Sequence, residues 1–167
     1  DHGKFLRMIT VTCDITAPLY WWKEFKTYRN GRKFADNEPD VVPCDYLEYD
    51  VEMNSCSTMH KIHAKEFTLD DFSVEHLQIS AMEIFVEVIH WLNEYRNRYL
   101  NDKDKDDWWQ MIQLLPTSYN QKRTVQLNYQ VLKAMYFARK NHKLDEWIDF
   151  CKWVETLPYF KEVCIDG

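Results

Sequence analysis

Glycine is scarce in this chain, with three residues in 167. The scarcity excludes a phosphate-cradling glycine loop and a G-x-G-x-x-G dinucleotide fingerprint, so any nucleotide must be held by side chains and helix ends. Long apolar runs are missing too. None approaches the about 20 residues that span a bilayer, and no signal peptide is visible, so no membrane partner is expected. Basic charge is also short: the net charge is −6, and a broad nucleic-acid footprint needs clustered Lys and Arg, so no nucleic-acid partner is expected either. The five cysteines, Cys13, Cys44, Cys56, Cys151 and Cys164, form no C-x-x-C pair. Reduced thiols in a cytoplasmic protein are the simplest reading.

Aromatic residues, by contrast, make up 16% of the chain. A chain of this length suits one domain over 1–167 and should bury roughly 70% of its unfolded surface. Ile9, Val11, Cys13 and Ile15 alternate with Thr10, Thr12 and Asp14, which predicts a half-buried strand over 6–15. Thr16-Ala17-Pro18 then offers a capping hydroxyl and a proline suited to the first turn of an aromatic-rich helix over 19–28. Asn30-Gly31, Pro39, Pro43 and many acidic residues mark 30–53 as a surface insertion. Thr68-Leu69-Asp70-Asp71 can cap a turn. Ile84, Val88, Trp91 and Leu92 fall at helical spacing within 81–100, and a short helix over 108–115 stops at Pro116. Two more helices are expected over 122–140 and 144–156. These elements predict an α/β (α+β) fold in which a small sheet packs against several helices.

Two regions carry candidate chemistry. The first is Leu115-Pro116-Thr117-Ser118-Tyr119, then Thr124-Val125-Gln126-Leu127-Asn128, then Arg139. If residues from Thr124 onward are helical, Asn128 and Arg139 share a face, about 16 Å apart along the axis. The second is Ile15-Thr16-Ala17-Pro18, then Glu24 and Thr27-Tyr28-Arg29, then Asn54-Ser55-Cys56-Ser57-Thr58. Ser55, Ser57 and Thr58 could donate hydroxyls to a phosphate, or serve only as a polar turn bonding its own backbone. By itself Arg139 is a cation near a helix C-terminus, beside Lys140 and Lys143, where the dipole favours it. Tyr28 sits among Tyr20, Trp21, Trp22 and Phe25, which suits a core position equally well. Cys56, His60 and His63 lack a fourth ligand at metal spacing, so no metal is expected. The pairs Trp21-Trp22 and Trp108-Trp109 read as packing or a subunit interface, not a stacking groove.

The order of these two regions resembles that of the flavin-dependent thymidylate synthases. The resemblance implies FAD as cofactor, NADPH and methylene tetrahydrofolate as co-substrates, and reductive methylation of dUMP to dTMP by a homotetramer. It assigns the pyrimidine nucleotide to Glu24, Ser55, Ser57, Thr58 and Arg139, with Arg139 also activating the ring. It assigns the flavin to Thr27, Tyr28, Arg29, Asn54 and Asn128. This chain has Thr27-Tyr28-Arg29 where the family has Arg-His-Arg, Glu24 where it has Gln, and Ser55 where it has Glu. Those differences mark a divergent relative of the kind expected in a phage or mobile element. They also keep open an enzyme acting on another pyrimidine nucleotide, or a non-catalytic nucleotide-binding or interaction protein on a synthase scaffold.

Overall fold

The computed structural model describes residues 3–29, 51–55 and 59–166, without the side chains of Arg29 and Ser55. The fold is mixed α/β, as the sequence predicts. Its elements are β1 (Thr10–Pro18), α1 (Leu19–Phe25), β2 (Val51–Ser55), α2 (Ile79–Asp102), α3 (Lys105–Leu114), β3 (Asn120–Asn128), α4 (Tyr129–Arg139) and α5 (Asp145–Val154). The three strands form a sheet in the order β1-β3-β2. Short 3-10 turns cover Gly3–Met8, Lys26–Arg29 and Leu69–Asp71, and a π-turn covers Lys161–Ile165.

The chain divides into two compact units, one of Asp1–Ile15, Trp21–Asn54 and Thr124–Gly167, the other of Thr16–Tyr20 and Ser55–Arg123. In the first, Trp21, Trp22, Phe25, Trp147 and Phe150 are buried together. Trp21 lies 4.7 Å from Trp147 and 5.0 Å from Phe25, ring centre to ring centre, within the range of favourable aromatic pairs. Trp21 and Trp22 are therefore packing residues. In the second unit Ile62, Phe67, Phe72, Leu92 and Met111 form the core.

Several boundaries differ from the sequence reading. The first strand starts at Thr10 and runs through Thr16, Ala17 and Pro18, which are strand and not helix cap. No capping hydroxyl is needed there, because the Leu19 and Tyr20 N–H groups donate to the Tyr119 and Thr117 carbonyls at 3.0 and 3.1 Å. The larger correction concerns 122–140, predicted as one helix. Residues up to Asn128 form β3, and α4 begins at Tyr129. The alternation in β3 is clear in the structure: Gln121, Arg123, Val125 and Leu127 are buried, while Lys122, Thr124 and Gln126 are exposed. Two of the inward residues are polar, which hid the period of two. Within the expected insertion 30–53, residues 51–53 belong to β2 and 30–50 lie outside the described residues.

The turn at Leu69–Asp71 is capped as its sequence suggests. The Asp71 carboxylate accepts from the Thr68 N–H at 3.0 Å and pairs with Lys65. Burial pushes its pKa up, but the Lys65 and Thr68 hydrogen bonds outweigh that and hold it below the usual carboxylate range. Because the folded pKa is depressed, this contribution is present above the unfolded value of about 3.9 and is lost as pH falls below it. The melting-temperature gap between the native protein and Asp71→Asn is expected to close between neutral and strongly acid pH. Thermal melts across that range check it.

Candidate functional site

The correction at β3 alters the geometry on which the Asn128 and Arg139 pairing was based. Asn128 is the cap before α4 and Arg139 is its last residue, so the helix between them begins only after Asn128. Asn128 is 7% exposed, and its side-chain oxygen accepts from the Val131 N–H at 3.0 Å. That is a helix cap, worth about 1 kcal/mol. Asn128→Ala is expected to lose about that much in urea unfolding, and Asn128→Asp, which keeps an acceptor, to retain most of it.

Arg139 meets α1 and the turn after it. Glu24, near the end of α1, and Tyr28, one turn later, lie on the same side of the chain. The Arg139 Nε donates to the Tyr28 hydroxyl at 2.9 Å, and its Nη1 lies 3.1 Å from Glu24 Oε2. The guanidinium also lies over two rings, 4.9 Å from Trp147 and 5.5 Å from Tyr28. Each such contact contributes about 0.5–1 kcal/mol at partly exposed sites.

Two residues outside the sequence assignment complete the cluster. Trp147, in the first turn of α5, is buried, and its Nε1 donates to Glu24 Oε2 at 2.9 Å. His142 follows α4 and accepts at Nδ1 from the Leu144 N–H at 3.2 Å, which leaves a neutral ring's proton on Nε2. That Nε2 lies 3.5 Å from Glu24 Oε2. Three donor groups thus converge on one carboxylate oxygen. Glu24 Oε1 and Arg139 Nη2 have no partner among the described residues. The side chains are 35% and 20% exposed, respectively.

The remaining assigned residues lie elsewhere or are turned to other uses. The Thr27 hydroxyl donates back to the Glu24 carbonyl at 2.7 Å. Asn54 is exposed near the end of β2. Arg29 and Ser55 are placed by backbone only, and Ser57 and Thr58 lie outside the described residues, as does Cys56 of the Cys-His-His string. The structure therefore brings together Glu24, Tyr28 and Arg139 of the assigned set and adds Trp147 and His142. For Trp147 the available signal was its place in the apolar series Trp147, Phe150, Cys151, Val154; nothing in the sequence identified a partner for its N–H.

The donor set fits a planar imide ring. The Arg139 guanidinium and the Glu24 carboxylate are each partly exposed, beside the half-buried Tyr28 ring. Both uracil and the pyrimidine end of a flavin present an imide edge.

No family model and no curated protein matches the chain. Among solved structures it is similar to flavin-dependent thymidylate synthase from Helicobacter pylori, in a crystal structure complexed with FAD and dUMP. The TM-score is 0.61 at 14% sequence identity, covering 99% of this chain and 76% of that one. A second structure of the Helicobacter enzyme with FAD and dUMP gives the same values. At this identity the likeness establishes the fold. Both structures are bacterial, so the phage character expected from the sequence finds no support in them.

Proposed function

We propose that this chain is a divergent flavin-dependent thymidylate synthase-like enzyme with a pyrimidine-nucleotide site built around Arg139. The observation that carries the reading is the meeting of Glu24, Tyr28 and Arg139 in one cluster, within a fold shared with proteins that bind FAD and dUMP. Arg139 binds the pyrimidine and polarises it, Tyr28 lies against a ring, and Glu24 accepts from an N–H. The resemblance supports a flavin-binding role for Thr27, Arg29, Asn54 and Asn128, and a role for Ser55, Ser57 and Thr58 toward the nucleotide. FAD supplies hydride chemistry when bound, with methylene tetrahydrofolate as carbon donor and NADPH as reductant.

The functional domain spans 1–167, and its assembly is a homotetramer in the cytoplasm. Exposed apolar side chains on α2, with Ile79 at 83% and Ile84 at 69%, support association with further copies. No helix among the described residues is long and apolar enough to cross a membrane. Glu24 in place of Gln favours one variant of the reading, in which the substrate is a pyrimidine nucleotide other than dUMP; turnover with dUMP and dCMP separates the two. The absorbance spectrum of protein purified after incubation with FAD tests the reading itself. Near-stoichiometric bound flavin is expected, and a colourless protein overturns it.

A further inference from the structure

A groove in the second unit runs between α2 and α3, lined by Trp91, Tyr95, Gln110, Gln113 and Leu114. Its volume is about 410 Å³, within the range that holds small ligands. Trp91 and Tyr95 stand one turn apart on α2 and so share a face. Their ring centres are 6.0 Å apart with planes 36° from parallel, and Trp91 is 43% exposed, so the two rings make an open aromatic floor. Gln110 and Gln113 share a face of α3 in the same way. Both amides are exposed and engage no partner among the described residues, and no described residue lining the groove carries a charge. Arg98, further along α2, holds its guanidinium over the Tyr95 ring at 5.3 Å, so a positive charge borders the groove.

We propose that this groove binds an adenine nucleotide, with the base on Trp91 and Tyr95, its polar edge on a glutamine amide and its phosphate on Arg98. The uncharged lining selects a neutral ring, because an ion desolvated there would have no counter-charge. A flat purine covers a floor made of an indole and a phenol, and such stacking is worth about 1–3 kcal/mol per base. A carboxamide presents an acceptor next to a donor, the complement of adenine's amino group beside a ring nitrogen. Arg98 then supplies a charge-assisted contact at the border, which favours the nucleotide over the nucleoside. The inference goes beyond the reading built on Arg139, which belongs to the other unit, and does not depend on it.

Calorimetric titration of the full chain with AMP, adenosine and purine riboside 5′-monophosphate tests the assignment. AMP is expected to bind about fivefold more tightly than the purine riboside nucleotide, which lacks the amino group; that is the size of one neutral hydrogen bond. The ratio should fall to near one when Gln110→Leu and Gln113→Leu are combined. Trp91→Ala should weaken AMP at least about tenfold, the loss of one stacked base, while Trp91→Phe, which keeps a ring, should retain most of the affinity. Arg98→Ala should remove the preference for AMP over adenosine. Protein saturated with FAD should bind AMP as tightly as protein without it. Absence of AMP binding, an unchanged AMP affinity in Trp91→Ala, a ratio that survives loss of both glutamines, or competition between FAD and AMP would overturn the inference. None of those results bears on the Arg139 cluster, which the flavin spectrum and dUMP binding test separately.

Discussion

Arg139→Ala is expected to weaken dUMP binding at least about 30-fold while costing only about 1–3 kcal/mol of stability, so that the protein still folds. A bidentate or charge-assisted donor pair in a partly desolvated site is worth roughly 2–3 kcal/mol when removed, and each 1.4 kcal/mol is a factor of ten in affinity. The stability cost is small for a different reason. Arg139 is one-fifth exposed and its partner Glu24 about one-third; ion pairs in such positions contribute about 0–1 kcal/mol, and the two ring contacts add about 1–2 kcal/mol. Nucleotide affinity should therefore fall in a variant that still folds. Calorimetry and a thermal melt on the same preparation measure both. An unchanged nucleotide affinity would reduce Arg139 to a cation at the end of α4.

The second large effect falls on stability. Trp21→Ala is expected to destabilise the protein by about 3–5 kcal/mol, the range for truncating a buried tryptophan. Trp21 lies in ring contact with Trp22, Phe25, Trp147 and Phe150, and the remaining side chains cannot collapse into the space it leaves. Trp91 on α2 provides the contrast, being 43% exposed; Trp91→Ala should cost far less in the isolated chain. Urea unfolding monitored by far-UV circular dichroism compares them. Equal losses for the two would mean that Trp21 is not the packing centre described here.

The sequence made some of this plain and concealed the rest for physical reasons. The first strand was legible because its inward residues, Val11, Cys13 and Ile15, are apolar and its outward ones polar, so period two was visible. β3 follows the same rule in space but turns Gln121 and Arg123 inward. Arg123 donates twice to the Gln121 side chain, and that pairing lets two polar groups occupy buried positions. Hydrophobic patterning cannot reveal such a strand. The misreading reached Asn128, which was expected inside a helix and instead caps α4 at the end of β3.

Glu24, Tyr28 and Arg139 could be named from the order of motifs along the chain, but their convergence could not. It depends on how α1, its following turn and the end of α4 lie against α5, which residue spacing does not encode. Trp147 shows the limit most clearly. Its ring belongs to the core pattern, while its N–H reaches the carboxylate that faces Arg139. A residue with both roles looks in sequence like packing alone.

The proposed function requires that the protein hold a flavin and a pyrimidine nucleotide in contact with each other. Its most direct test is the visible spectrum of the FAD-loaded protein during titration with dUMP. The account predicts a saturable shift of the flavin bands on dUMP addition that is lost in Arg139→Ala. Protein that binds no flavin, or bound flavin whose spectrum ignores dUMP, would contradict it.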